Sequence, residues 1–323
     1  MTPDPSQQTV RVTRHFDASP QRVFDAWLNP ETAGKWLFAT STGQMVRVEI
    51  DPRVGGSFIF TYRRNNEDIE HVGTYLEIDR PRRLVFQFAV PKFSSQFTRV
   101  SIDIVPAPNG CELTLTHEGV LPDYKNRTQT GWTKLLRSLA SQVDPNAAPG
   151  VVISPGDIQF RRLLPGPIER VWAYLTESDK RAKWFAAGNT EPRVGGSVEL
   201  HFDHAVLSSE PAPEKYKEFV TELGPFYTEC VTHYEPPKRL SWTWDGGEAG
   251  PSEVTFELTP QGNQVLLVLT HRRLAKKHMP GIASGWQTHL AVLVEQLSNR
   301  PLPAFWSILD EAEDQYKKLL GFE

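Results

Sequence analysis

Hydrophobic and polar positions follow two different periods along the chain, and each period predicts a different element. From residue 58 to residue 118 the period is two, as where Phe58, Phe60 and Tyr62 alternate with Ile59 and Thr61. Such alternation is typical of half-buried antiparallel strands. Near residue 130 apolar residues recur three and four positions apart, which predicts an amphipathic helix.

The same order of elements is predicted in both halves of the chain. Arg11–Phe16 has the pattern of a first strand, and Ser19 followed by Pro20 predicts the start of a short helix. A second short helix reaches Trp36, five or six strands follow, and one long helix closes the half. The apolar stripe of the long helix comprises Trp132, Leu135, Leu136, Leu139 and Val143 in the first half and Trp286, His289, Leu290, Leu293, Val294 and Leu297 in the second. We therefore expect an α+β fold in which a curved antiparallel sheet wraps around a long helix and leaves a cavity between them.

Short motifs recur in order, which identifies a tandem repeat. The recurring pairs are Arg53–Ser57 with Arg193–Ser197, Lys35-Trp36 with Lys183-Trp184, Pro81, Arg83 and Leu84 with Pro237, Arg239 and Leu240, Leu115–His117 with Leu269–His271, and Gly131-Trp132 with Gly285-Trp286. The offset grows from 140 positions between Gly55 and Gly195 to 154 between His117 and His271. The second copy therefore contains an insertion, and the polar, proline-rich segment Ser208–Lys217 is predicted to be that insertion and an exposed loop.

The density of proline and glycine places the domain boundaries. We expect a first domain at 1–145, a linker at 146–156, a second domain at 157–300 and a C-terminal helical extension at 301–323. Apolar residues at helical spacing from Phe305 to Leu320 predict the helix of that extension. It either packs on its own domain or mediates dimerisation, and the oligomeric state stays open.

Composition narrows the class of protein. Of 323 residues 39% are hydrophobic and 23% charged, and the net charge is −4, which does not favour binding of nucleic acid. No apolar stretch is long enough for a membrane span, and the first ten residues lack the apolar core of a secretory signal. Two cysteines form neither a disulfide framework nor a zinc motif. We expect a cytoplasmic protein with no metal and no cofactor.

Several motifs of the first copy together resemble one family. They are Ser-Pro-x-x-Val-Phe-x-Ala-Trp at 19–27, Lys35-Trp36, Val54–Phe58, Gly73-x-Tyr-Leu-Glu-Ile, Pro81-x-Arg-Leu-Val-Phe and Gly131-Trp132-x-x-Leu-x-x-Leu. The pattern is similar to that of bacterial homologues of the activator of heat-shock-protein-90 ATPase, within the START/SRPBCC superfamily. This resemblance implies the helix-grip fold of the birch pollen allergen, with a hydrophobic ligand cavity. The second copy departs from it, since Glu229 replaces Gly73.

Three histidines are the candidates for chemistry. By strand parity His117 and His271 should point toward the long helix, where each is either a hydrogen-bonded core residue or a polar anchor for a ligand. His289 occupies the helix position of Leu135 in the first copy, and with His271 it could polarise a carbonyl or move a proton. The Val-Gly-Gly-Ser motifs are interpreted as turns, because they match no phosphate-binding fingerprint.

The predicted ligand-cavity residues are the inward-facing aromatic and histidine side chains of both copies. They are Trp36, Phe58, Phe60, Phe86, Phe88, His117 and Trp132 in the first copy, and Trp184, Trp242, Trp244, His271, Trp286 and His289 in the second. Arg99 and Glu118 should point outward by parity. No nucleophile motif and no carboxylate pair is present.

Three functions remain open. The first is a non-enzymatic protein that binds a small hydrophobic molecule in at least one cavity. The second, by resemblance to tandem members of the superfamily, is a polyketide aromatase/cyclase-like enzyme whose catalytic residues are His271 and His289. The third is a chaperone-interaction module, as the family name suggests. The eukaryotic activator pairs a distinct N-terminal domain with one such C-terminal domain, whereas this chain duplicates the C-terminal type.

Overall fold

The computed structural model describes residues 8–39, 43–220, 225–244 and 250–322. The chain divides into two compact units, Met1–Ala148 and Pro149–Glu323. A hydrophobic core lies within each unit.

The first unit contains one antiparallel sheet of seven strands. They are β1 (Gln8–Phe16), β2 (Gln44–Ile50), β3 (Ser57–Arg64), β4 (Glu67–Asp79), β5 (Arg83–Val90), β6 (Ser94–Ala107) and β7 (Gly110–Val120). Their order across the sheet is β1-β7-β6-β5-β4-β3-β2. Only β1 is out of sequence order, so every other strand pairs with a neighbour in the chain through a hairpin connection.

Helices α1 (Pro20–Leu28), α2 (Pro30–Trp36) and α3 (Lys125–Val143) complete the first unit. Ser19 caps α1 by accepting the Arg22 backbone N–H, and Asn29 caps α2 in the same way. Both caps are followed by proline at the first helical position, where its missing N–H costs nothing. Helix α3 packs on β1 and on both short helices, with the apolar stripe predicted from the sequence facing the sheet.

The second unit repeats six of these strands and adds a different seventh strand, β8 (Val151–Ser154), at the opposite edge of the sheet. Its strands are β8 (Val151–Ser154), β9 (Asp157–Pro165), β10 (Ser197–His201), β11 (Phe226–Glu235), β12 (Arg239–Trp244), β13 (Ser252–Gln261) and β14 (Gln264–Arg272), in the order β10-β11-β12-β13-β14-β9-β8. Its helices are α4 (Ile168–Thr176), α5 (Ser178–Arg181), α6 (Met279–Leu297) and α7 (Phe305–Leu319). The predicted α+β class with two tandem helix-grip domains is confirmed.

One strand lies in the segment predicted as a linker. The range 146–156 includes β8, which pairs antiparallel with β9. The prolines and glycines that flank this segment predict a linker, whereas the β-branched run Val151–Ile153 between them favours an extended strand. That part of the predicted linker therefore belongs to the second sheet.

The predicted insertion Ser208–Lys217 is largely exposed, since six of its ten residues are exposed and only Tyr216 is buried. In the structure the insertion extends beyond these bounds to the whole connection between β10 and β11, and the described part of that connection contains two 3₁₀ helices, His204–Leu207 and Glu214–Phe219. Tyr216 is buried and stacks on Trp306 of α7 with ring centroids 5.5 Å apart. The Tyr216 ring, its hydroxyl bond to Glu313 and the bonds from Ser307 to Glu210 thus attach the segment to α7, which itself packs on α6.

Both Val-Gly-Gly-Ser motifs form the turns that precede β3 and β10. Gly55 and Gly195 have φ angles of 81° and 78°, a region that L-residues rarely adopt. Their N–H groups donate to the carbonyls of Tyr75 and Val231 at 2.8 Å. In the part of the chain that the structure describes, no helix combines the length and apolar character needed to cross a bilayer.

Candidate functional site

The candidate site of each unit is the space between the sheet and its long helix. In the first unit β5, β6 and β7 supply one wall and α3 the other. His117 lies on β7, two and four residues after the buried Leu115 and Leu113, and faces α3 as parity predicts. Arg99 and Glu118 lie on the opposite face, exposed, and pair at 3.6 Å.

A chain of three hydrogen bonds connects helix and sheet in the first unit. Trp132 Nε1 donates to His117 Nδ1 at 2.9 Å. His117 Nε2 lies 2.7 Å from Thr98 Oγ1, whose hydroxyl donates to the Phe88 carbonyl at 2.9 Å. An indole N–H can only donate, so Nδ1 must hold the lone pair and Nε2 the proton. The network therefore holds His117 as its neutral Nε2–H tautomer.

The second unit contains the same chain of hydrogen bonds. Trp286 Nε1 donates to His271 Nδ1 at 2.9 Å, and His271 Nε2 lies 2.8 Å from Ser252 Oγ. The Ser252 hydroxyl donates to the Trp244 carbonyl at 3.1 Å. The sequence does not mark Thr98 and Ser252 as the hydrogen-bond partners of these histidines.

Both network histidines are neutral and fully engaged. Burial lowers the pKa of His117 to about 4 and that of His271 to about 3. Each ring nitrogen already has a hydrogen-bond partner, so neither histidine presents a free lone pair to a substrate. The arrangement is suited to fixing helix against sheet rather than to proton transfer.

Phe38 lies inside the region predicted as the ligand cavity of the first unit. Its ring is nearly parallel to those of His71 and Phe88, at centroid distances of 4.2 and 5.3 Å. The His71 and Phe88 rings are themselves nearly parallel at 6.1 Å, so Phe38 lies across both. Trp132 is 6.1 Å away on the helix side.

The backbone of Phe38 is strained. Its φ angle is 59°, in the left-handed region that bulky residues rarely occupy. Nevertheless the side chain is 8% exposed. Burial of the ring is therefore what keeps this conformation, and sequence reasoning missed Phe38 because no periodic pattern marks the residues after α2.

The remaining predicted residues of the first unit pack tightly around this position. Trp36 donates its indole N–H to the Ala26 carbonyl at 3.1 Å and is fully buried. The rings in contact with each other or with Phe38 are those of Phe58, Phe60, Phe86, Phe88 and Trp132. Trp27, 6.5 Å from Trp132, has a buried indole N–H that lacks a hydrogen-bond partner in the described residues. The site thus combines aromatic walls with a buried donor that has no partner among the described residues.

The second unit is lined by the four predicted tryptophans. Trp184 donates to the Tyr174 carbonyl at 2.8 Å, and Trp286 stacks on Phe185 at 5.0 Å. Trp244 packs 5.4 Å from Trp286, and Trp242 packs 4.8 Å from Phe256.

His289 lies apart from His271 and has another histidine as its neighbour. Its Nδ1 bonds to the Trp184 carbonyl at 2.8 Å, and its ring contacts Phe185. His271 contacts Trp286, so the rings of Trp286 and Phe185 link the two histidines that sequence analysis paired. The neighbour of His289 is His204 of the insertion, with ring centroids 5.4 Å apart. Burial, reinforced by His204, lowers the pKa of His289 to about 3.

Metal-ligating side chains do not cluster in the described ranges. No group of three or more His, Cys, Asp or Glu side chains there is placed to hold a metal ion. Cys111 is buried and Cys230 exposed, and neither forms a disulfide.

Comparison with known proteins gives two matches to one family model. The family described as "Activator of Hsp90 ATPase homolog 1-like protein" matches residues 17–144 and 165–298. None of the curated proteins is significantly similar to the chain.

Solved structures of bacterial proteins are similar to parts of the chain. The solution structure of the protein encoded by gene BPP1335 from Bordetella parapertussis is 45% identical, with 52% of this chain and 88% of that chain covered and a TM-score of 0.47. Protein CV1439 from Chromobacterium violaceum is 26% identical, with 44% and 99% covered and a TM-score of 0.40. CalU16 from Micromonospora echinospora is 22% identical, with 53% and 94% covered and a TM-score of 0.40.

Proposed function

The chain belongs to the family of Activator of Hsp90 ATPase homolog 1-like proteins, and from this membership we propose that its first unit binds a small, flat, apolar molecule without transforming it. The molecule enters between the sheet and α3 and takes the place of the Phe38 ring. The observation that carries the proposal is the Phe38 ring lying flat across His71 and Phe88.

Displacement of Phe38 uncovers a surface suited to such a ligand. The rings of His71 and Phe88 differ by 16° in orientation and form a nearly flat platform. Offset stacking on an aromatic platform contributes about 0.5–1.5 kcal/mol per ring pair beyond the area buried. Since burial lowers the pKa of His71 to about 4, the platform is uncharged at neutral pH. These features favour a neutral, planar ligand.

The chemistry of the walls favours binding over catalysis. Both ring nitrogens of His117 are engaged, which leaves this histidine no lone pair for a substrate proton. The indole N–H of Trp27 is buried and has no hydrogen-bond partner among the described residues. An acceptor oxygen on the ligand would satisfy it, as one or two placed polar groups do in apolar ligand sites.

The test is the affinity of the full chain for naphthalene, followed by isothermal titration calorimetry. Phe38→Ala introduces the residue that the second copy has at the equivalent position, Ala186. It should raise the affinity for naphthalene about tenfold or more, because no ring then has to be displaced from His71 and Phe88. Phe97→Ala removes an exposed ring of β6 and serves as the control with unchanged affinity. Equal affinity of Phe38→Ala and wild type would contradict the proposal.

Chaperone action is separable from ligand binding. The full chain can be added to a purified Hsp90 ATPase, with and without Phe38→Ala. Stimulation of the ATPase that is independent of Phe38, together with no naphthalene binding, would replace the proposed function by the chaperone alternative.

A further inference from the structure

Two histidines of the second unit present equivalent, unused nitrogen atoms. His289 bonds through Nδ1 to the Trp184 carbonyl at 2.8 Å, and His204 bonds through Nδ1 to the Phe219 carbonyl at 3.3 Å. A carbonyl only accepts, so both Nδ1 atoms carry the proton. In the neutral rings both Nε2 atoms then hold lone pairs, and within the described residues neither Nε2 has a hydrogen-bond partner.

The histidines are neutral at physiological pH because of where they lie. His289 is 6% exposed on the inner face of α6, and His204 is half-buried in the first 3₁₀ helix of the insertion. Burial lowers the pKa of both, and the proximity of His204 lowers that of His289 further. Asp203 alone among nearby charges acts on His204 in the opposite direction.

Aromatic rings surround the pair. Phe202 is parallel to His204 within 8° at 5.4 Å, and Phe305 of α7 is 5.2 Å from His289 and 5.6 Å from His204. Trp306 is 6.1 Å from His204. Phe202, Phe305 and Trp306 therefore form an apolar box around the two imidazole rings.

The box borders an exposed apolar rim. Val206, Phe219, Phe226 and Tyr227 are between 38% and 55% exposed. Tyr227 contacts Phe202 at 6.1 Å, and Phe219 contacts His204 at 6.0 Å, so the rim is continuous with the box. An apolar surface that leads to a few polar atoms without hydrogen-bond partners is the usual form of a small-molecule site.

We propose that the second unit binds a small aromatic molecule with a hydroxyl group, whose O–H donates to Nε2 of His289 while its ring packs on Phe202 and His204. The site is specific to the second copy, because position 135 of the first copy is leucine and the insertion is absent there. It concerns the second unit alone. Because both probes could also occupy the site proposed in the first unit, the variants of His289 and His204, measured in the Phe38 wild-type background, are what separate this test from that of the Phe38 proposal.

The experiment compares 2-naphthol with 2-methoxynaphthalene, which has the same rings but no donor. In the full chain 2-naphthol should bind at least tenfold more tightly, since its hydroxyl donates a hydrogen bond to His289 Nε2 that the methoxy group cannot make. His289→Leu installs the first copy's residue and should equalise the two probes. His204→Phe keeps the ring wall and should preserve the preference while changing the affinity for both. His278→Gln, at an exposed position, is the control with no change.

A measurement on the wild-type chain avoids dependence on the folding of variants. With ¹⁵N-labelled histidine, the Nε2 resonance of His289 should move on addition of 2-naphthol and stay in place on addition of 2-methoxynaphthalene. Equal affinity for the two probes, a preference that survives His289→Leu, or a proton on Nε2 of His289 in the free protein would overturn the proposal.

Discussion

Acidification should destabilise both units, because each buries two neutral histidines. Burial lowers the pKa of His71 and His117 to about 4 and that of His271 and His289 to about 3, whereas an unfolded histidine titrates near 6.5. The folded state therefore favours the neutral form. This contribution to stability is complete above pH 6.5 and is lost as the pH falls toward the folded-state values.

The magnitude follows from the pKa shifts. For each histidine, the free energy of unfolding falls by about 1.4 kcal/mol per pH step of one below 6.5, until the folded-state pKa is reached. At pH 5 the loss is about 2 kcal/mol per histidine, and about 4 kcal/mol for the two histidines of each compact unit. That is a large share of a total stability of about 5–15 kcal/mol. Asp144 acts in the opposite direction, because burial and the nearby Asp17 raise its pKa.

The assay is urea denaturation of the full chain at pH 7 and pH 5, followed by tryptophan fluorescence. His117→Gln has a donor and an acceptor but does not titrate, so it should reduce the loss of stability between the two pH values by about 2 kcal/mol. His278→Gln should leave that loss unchanged. A wild-type stability that varies by less than about 1 kcal/mol over this range, or an undiminished loss in His117→Gln, would refute the reasoning.

Three further outcomes are expected. Trp132→Phe keeps the ring but leaves His117 Nδ1 without its donor, and should lower the free energy of unfolding in urea by about 1–3 kcal/mol, with Trp286→Phe as the matched change in the second unit. Arg181→Met should destabilise the chain by more than about 3 kcal/mol by the same measurement, since the buried guanidinium bonds the carbonyls of three residues and the Thr190 hydroxyl. Tyr216→Ala should accelerate tryptic cleavage within the insertion, because the ring that stacks on α7 is lost.

Periodicity predicted the fold well because both sheets bury one face. A strand with one buried face must alternate, and a helix that packs on it must show an apolar stripe. The direction of His117 followed from this parity. Its partner Thr98 did not, because it lies on β6 and the pairing depends on the register that places Val100 opposite His117.

The conformation and contacts of residues outside the periodic elements could not be predicted from the sequence. The left-handed conformation of Phe38 arises from the tertiary burial of its ring, which no local preference of phenylalanine favours. His204 lies in the insertion, where comparison of the two copies has nothing to align. A shared inward direction predicts that His289 pairs with His271. In the structure His271 contacts Trp286, Trp286 contacts Phe185, and Phe185 contacts His289.

The strain at Phe38 bears on the ligand binding proposed for the first unit, because it lowers the free-energy cost of displacing the ring. A bulky residue in the left-handed region costs about 1–2 kcal/mol, which offsets part of the gain from stacking and burial of its ring. A difference of a few kcal/mol between two states leaves the minor state at roughly 0.1–10% of molecules. The apparent dissociation constant of a ligand at this site equals the intrinsic constant divided by the fraction of molecules in which the ring is displaced. A residue that relaxes this backbone therefore tunes affinity without touching the ligand.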